Sequence, residues 1–444
     1  MFSGRLPLVF FTNMPTNGGL VQYQAQLNAN KGVDMAQFAG LITNGDGKPT
    51  VDALLSKLAS MGYPTTVKPE DGTVPSSISA VDPAFKMPQV WKTSLAIDYS
   101  FPTSFPFSIT AEGIFNKTVN AVSISDWSMV NVGGFARFNG ADNRPMYPAG
   151  AYRVSNTVDG KSRQISAFML ENTSKGYGWS ANDTMNMQPA EWISLMAAYT
   201  HTVSKEVTGM PGSAAESAFT YVPTSEGPNY IPLHNSQYVT PDRVVASATA
   251  HDKGGNHYSL IYEATRGGYN YSFMTTNDMN GDGYNYDAVY IPTDKQVAAN
   301  EFRFVSNDDR DRFMDYVHND PYLSTHQGQY AEAYSVYSPW LHRLDFSYKH
   351  DFVIKCGQNK NTLQLSLDVK NILNLFNSSW GVAKYLNPKI GSEAKILKYE
   401  GPDADGYATF STPAVINGST QTFVPYHSLG QCWYASIGIK YMFN

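Results

Sequence analysis

The chain has 444 residues and a net charge of −6, a balance that argues against the phosphate backbone of a nucleic acid as partner. Only 16% of residues are charged whereas 13% are aromatic, and Tyr and Trp rings with one oily and one wet end favour membrane interfaces. No stretch approaches the roughly 18 apolar residues of a membrane-spanning helix, which leaves strands as the only route across a bilayer.

Residues 1–85 read as an extracellular loop region with a short helix. Arg5–Phe11 has the pattern of the top of a strand. Val51, Leu54, Leu55 and Leu58 recur at helical spacing behind Thr50, a candidate N-cap. Met1 is followed by Phe2, Ser3, Gly4 and Arg5, without a basic start, an oily stretch or a cleavage site. An exported protein needs such a signal, so if this chain is exported it is expected to be the C-terminal part of a longer one.

From residue 86 to the end the chain alternates apolar and polar side chains with period two, the signature of strands with one oily and one polar face. Trp91, Thr93, Leu95, Ile97 and Tyr99 face one way, and Lys92, Ser94 and Asp98 the other. Similar segments lie near 91–101, 106–118, 165–187, 190–204, 240–252 and 254–276. Leu344, Phe346, Tyr348 and Phe352 then form a row, followed by Leu363, Leu365, Leu367 and Val369, and finally by Trp433, Ala435, Ile437, Ile439, Tyr441 and Phe443. That makes about nine segments, most longer than the roughly 9–11 tilted residues a strand needs to span a bilayer.

A soluble sandwich would give the same alternation, so the hinges decide. Short ones fall at Pro102–Pro106, Gln188–Pro189, Asp252–Gly255 and Cys356–Asn359, and long ones at about 119–164, 205–239, 277–337 and 375–430. If the last strand ends at the periplasm, every short hinge is periplasmic, the asymmetry of outer-membrane barrels. The expected fold is therefore all-β: part of an antiparallel up-and-down transmembrane β-barrel with long extracellular loops. An odd count of nine leaves it open, whereas bacterial single-chain barrels use even numbers.

Two elements are expected inside the long loops. Ser306–Asp309 starts a helix carrying Phe313, Met314 and Val317, and Lys395–Thr412 forms a hairpin above the membrane, turning at Asp403–Gly406. Cys356 and Cys432 should lie at opposite ends of the sheet, about 30 Å apart, too far for a disulfide.

Several side-chain groups carry possible chemistry. Asp278, Asn280, Asp282 and Gly283 match the first half of a calcium loop, with Asp287 as a further oxygen; Val289 stands where the closing Glu belongs, and a tight turn explains the same residues. Lys92, Asp98, Glu112, Arg243, Glu263, Arg343, Asp345, Lys349, Asp351, Asp368 and Lys370 fall on the polar face, to meet lumen water, a plug or a substrate path. Tyr262, Tyr269 and Tyr271, with Tyr330, Tyr334, Tyr337 and Trp340, crowd the outer ends, as an interfacial girdle or a stacking surface for sugar rings or flat ligands. His342 and His350 fall near the two ends of the apolar row. No Ser/His/Asp order, HExxH or phosphate loop occurs, so the chain is not expected to be an enzyme, and no catalytic, cofactor or metal residue is assigned.

Phe85–Asp98 (FKMPQVWKTSLAID), Asn277–Gly283 (NDMNGDG) with Tyr290–Pro292, Leu367–Asn374 (LDVKNILN) with Trp380 and Gly381, and Ile437–Phe443 (IGIKYMF) resemble segments of TonB-dependent outer-membrane receptors of the Oar-like, carboxypeptidase-regulatory-domain type found in Bacteroidetes. Asn444 follows the usual final aromatic, a small departure. The resemblance covers nearly the whole chain but only the C-terminal barrel half of such a receptor. It implies a barrel of about 22 strands with an N-terminal plug, energised by the TonB complex through the N-terminal part. The implied partners are outer-membrane lipid and a large nutrient (glycan, peptide or metal chelate) at the extracellular loops. A plug-free porin or structural outer-membrane protein, and a secreted soluble polysaccharide-binding β-protein, are the alternatives.

Overall fold

Nine strands run antiparallel in sequence order: β1 (Gln89–Ser100), β2 (Phe107–Asp126), β3 (Tyr177–Ala190), β4 (Ile193–Glu206), β5 (Asp242–His251), β6 (Asn256–Arg266), β7 (Leu341–Cys356), β8 (Asn359–Lys370) and β9 (Tyr434–Phe443). The computed structural model describes residues 2–3, 27–28, 32–41, 50–66, 68, 77–129, 132–148, 155–158, 161–164, 166–209, 214–356, 359–391 and 393–443; the expected strand top at Arg5–Phe11 lies outside them. Phe2–Ser3 pairs with Val90 and Gln89 on the free side of β1. Among the described residues no pairing joins β9 back to β1, so the sheet is open and no closed barrel forms.

All four short hinges lie at one end of the sheet, as the antiparallel order requires. In the β5–β6 turn, Asp252 Oδ1 accepts from the backbone N–H groups of Gly254 (2.8 Å) and Asn256 (3.0 Å), a side chain closing its own turn. The hinge expected at Gln188–Pro189 sits three residues later, at Glu191–Trp192. Pro189 has no N–H for the ladder, and the register shift between Met187 and Ala190 absorbs it as a bulge inside β3.

Two expected strands are divided. The segment 165–187 is a separate strand, Ser166–Thr173, followed by β3 from Tyr177. Both pair with the 20-residue β2, the first with its outer part and β3 with its inner part, so the alternation runs through the break. Gly176 takes φ +128° at the joint, where a Cβ would lie 2.8 Å from Thr118 Oγ1. Segment 254–276 likewise ends at Arg266, because Gly267 turns the chain at φ +80° against the Pro241 ring. Met274–Thr275 then pairs in parallel with Lys395 and Leu397, away from the main sheet. Ser77–Val81, in the stretch expected to be loop, is a strand and pairs in parallel with Ser166–Leu170.

Helix α1 (Val51–Ser60) starts where Thr50 Oγ1 accepts from Ala53 N at 3.3 Å. Helix α2 (Asn307–Asn319) starts at Ser306, whose Oγ accepts from Asp309 N at 3.1 Å. The hairpin of Lys395–Pro402 and Ala408–Ser411 lies outside the main sheet, as expected.

Register carries one apolar row across the sheet. Ile97 faces Ala111, Leu195 faces Ala248, Leu260 faces Phe346, Tyr348 faces Leu367, and Leu367 faces Ile437. Leu344, Phe346 and Tyr348 therefore share a face with Leu363, Leu365 and Leu367 and with Ile437, Ile439 and Tyr441. Among the described residues no second sheet packs on this row: Leu95 is 71% exposed and Ile437 82%. The opposite, polar face is concave and holds hollows of about 650 and 700 Å³.

The hydrophobic core lies elsewhere. Its largest buried cluster, including Phe273, Ile291, Phe313, Tyr316, Leu323, Ile396 and Phe410, takes none of its buried members from β1–β9. The long connections fold together into a cap at the end opposite the short hinges. A smaller cluster joins Val122 and Ile124, at the outer end of β2, to Phe168, Leu170 and Phe219.

Candidate functional site

Alternation places all eleven charged residues named above on the polar face, where most find local partners. Arg243 and Glu263 pair across β5 and β6 at 2.7 Å, and Lys370 pairs with Asp345 at 2.8 Å. Asp351 takes His257 at 3.2 Å and Gln364 at 2.8 Å, while Asp368 accepts from Ser347 at 2.6 Å. Asp98 accepts from Thr110, Asn182 donates to Glu112, and Arg343 donates to Gln431 in the cap at 2.7 Å. Lys349 lines the 650 Å³ hollow with Ser194, Ser259, Asp345 and Asp368, and Lys92 is exposed. The polar face is thus laced by cross-strand pairs. Among the described residues no three His, Cys, Asp or Glu side chains stand close enough to share a metal ion.

The Asp278 loop is a chain of turns. Asp278 accepts from Gly281 N (2.7 Å) and Gly283 N (2.8 Å), Asn280 from Asp282 N (3.0 Å), and Asp282 from Tyr284 N (2.8 Å). Asp287 points into a different network: it takes Arg144 Nη1 at 3.0 Å and Met279 N at 2.8 Å.

That network was not foreseen. Arg144 is fully buried and gives Nε and Nη2 to the two oxygens of Asp142, each at 2.9 Å, and Nη2 also donates to the Ala288 carbonyl at 2.7 Å. Tyr330 donates to Asp142 at 2.8 Å, and the guanidinium lies 5.2 Å from the Tyr330 ring centroid. Burial pushes the Asp287 carboxyl up to about 7 against the opposing pull of Arg144. Burial, then the charges of Asp287 and Asp278, also push Asp282 up. Nothing local in Asp142, Asn143 and Arg144 signals a partner more than a hundred residues away; only the oddity of an Asp-x-Arg step beside buried-looking aromatics hints at it.

The aromatics divide into two groups. Tyr262 shares a 2.7 Å hydrogen bond with His342, which stacks on Trp340 at 5.9 Å; this trio caps the outer end of the apolar row, where a girdle is expected. His350 sits at the other end, 2.7 Å from Asn256 Oδ1 and against Phe352. Tyr334, buried in the cap, and Tyr330, half-buried against its core, depart from the girdle reading, and Tyr337 sits over Arg266. Tyr269 and Tyr271 meet in the cap at 5.1 Å. Cys432 carries a free, exposed thiol at the cap end of β9; the backbone of Cys356 ends β7 at the short-hinge end, and its thiol lies outside the described residues. No family model, curated protein or solved structure matches this chain.

Proposed function

We propose that this chain is the C-terminal barrel portion of a TonB-dependent outer-membrane receptor that imports a large nutrient. One observation carries the reading: an apolar row, broken on β3 by Asp183 between Ala111 and Tyr199, crosses the nine strands uncovered, while the largest buried core takes its members from the cap at one end. In water, leaving Leu95, Ile437, Ile439 and Phe443 exposed forgoes about 1.5–3 kcal/mol each; against lipid tails that penalty vanishes. The polar face then lines the lumen, and the cap faces outward to meet the ligand. Strands of 10–20 residues are long enough to cross, and the short hinges face the periplasm. Open edges at β1 and β9 fit a wall completed by further strands. TonB engages through the N-terminal part, and the wall itself performs no catalysis.

The test is fractionation of cells that make the protein. It should stay with the outer membrane through alkaline carbonate extraction, and recovery in the soluble secreted fraction would overturn the reading. Uptake that persists after deletion of TonB would favour a plug-free porin with the same wall.

A further inference from the structure

The cap holds a cleft of about 280 Å³ lined by six tyrosines, Tyr221, Tyr238, Tyr269, Tyr271, Tyr286 and Tyr334. They come from two separate connections, β4–β5 and β6–β7; the β8–β9 connection adds Glu393. The rings meet one another at angles rather than in a stack: Tyr238 and Tyr269 at 5.7 Å, Tyr269 and Tyr271 at 5.1 Å, Tyr221 and Tyr286 at 5.3 Å. Tyr334 is fixed from behind by its hydroxyl, which donates to the Tyr221 carbonyl at 2.8 Å. Tyr238 and Tyr269 are 60% and 46% exposed, so ring faces are open to an incoming ligand.

Two amide oxygens among the residues lining the cleft lack donors. Asn270 is fully buried and spends its NH2 on the carbonyls of Ser236 and Val239, which fixes the amide orientation and leaves Oδ1 without a partner. Gln237 Oε1 is likewise buried and unpartnered. A buried acceptor left unmet costs about 1–3 kcal/mol, so a ligand rich in O–H groups is favoured. Charge narrows the choice further. Glu393 is already paired with Lys395 at 2.7 Å and accepts from Tyr286 at 3.0 Å, so the cleft offers no free charge to a cation or an anion. A flat apolar ring would stack but leave both amide oxygens unmet.

We infer that this cleft binds one ring of a neutral saccharide, its C–H face on the tyrosines and its hydroxyls on Asn270 Oδ1 and Gln237 Oε1. The volume lies just under the roughly 300–1,000 Å³ of pockets for drug-sized ligands, which suits a single ring of a longer chain that leaves over Tyr238 and Tyr269. The inference rests on the receptor reading above and names its substrate class.

The experiment uses protein purified from the cells that make it, titrated with maltohexaose, cellohexaose, laminarihexaose, mannohexaose and xylohexaose, and with choline and sulfated dextran as charged probes. At least one neutral hexaose should bind in preference to both charged probes. Tyr238→Ala and Tyr269→Ala should each weaken it by about tenfold, the scale of a lost aromatic contact, and Tyr269→Phe should retain it. Binding indifferent to both alanine variants, preference for a charged probe, or no binding by protein whose cap resists protease would overturn the inference. Where extraction unfolds the cap, fluorescein-labelled polysaccharides of the same five linkages on intact cells decide: retention lost in Tyr269→Ala supports it, and no retention overturns it. Sugar binding by protein found in the soluble fraction would sink the receptor reading and keep the cleft; membrane-held protein blind to all five sugars would do the reverse.

Discussion

Arg144 ties two of the cap's connections together through Asp142, Asp287 and the Ala288 carbonyl. Its guanidinium bridges Asp142 and Asp287, at distances of 2.9 and 3.0 Å, with no water-facing side chain among the three. Removing one member of a buried ionic cluster strands the others, at about 3–5 kcal/mol. Arg144→Met should therefore lower the near-UV melting temperature of the cap sharply, and Arg144→Lys should recover little because an ammonium cannot fork across Asp142. A melt unchanged in Arg144→Met would show that the cluster is not structural. The pH dependence has a definite sign. The folded Asp287 carboxyl is raised to about 7, above the unfolded value of about 4, so the folded state holds this proton more tightly. Its contribution is favourable at low pH and is lost as pH rises from about 4 to about 7. Melting temperatures of Asp287→Asn should thus fall less than wild type across that window; a steeper fall in the variant would contradict the assignment.

At the scale of elements, the two faces of β8 make opposite predictions for adjacent positions. Leu365 lies on the apolar row opposite Ile439, and Ser366 lies on the polar face opposite Gly438. Against lipid, Leu365→Arg should cost about 2–4 kcal/mol near the bilayer midplane, whereas Ser366→Arg should be tolerated. Urea unfolding from phospholipid vesicles measures the difference, and equal effects would place neither face in lipid. The strands were legible because period two is written into neighbouring residues and needs no distant partner. Hinges were legible where side chains close their own turn, as at Asp252, and misplaced where a proline was absorbed by a bulge, as at Pro189. The cap was legible only in its local pieces, such as the Ser306-capped α2. Its core joins Phe273, Phe313 and Phe410 across long intervals of chain, and no local period encodes such contacts. The tyrosines of the cleft were visible as a crowd near the outer ends, but their division between girdle and cap depends on loop folding.

For the whole molecule the decisive feature is the open sheet. Among the described residues strand β9 has one neighbour, and beyond β1 only Phe2–Ser3 pairs. Each unpaired backbone group facing hydrocarbon costs several kcal/mol. The 444-residue chain expressed by itself should therefore fail to insert as a stable monomer, and it should aggregate or be degraded. On the proposed receptor reading, joining it to the remaining strands, plug and TonB contact should give a barrel that migrates anomalously on a gel until boiled. A heat-modifiable, protease-resistant species from the isolated chain would show that nine strands suffice.

The exposed thiol at Cys432 makes the protein its own compass. One cysteine sits at the cap end of β9 and the other closes β7 at the far end, with no third to confuse them. A maleimide too large and charged to pass a membrane, added to intact cells, would mark whichever end points to the outside world, without a single substitution. Mapping the marked peptide to Cys432 gives the orientation in which ligand arrives at the cap; a mark on Cys356 alone turns the molecule over, and a mark on both in untouched cells means that no bilayer separates the two ends.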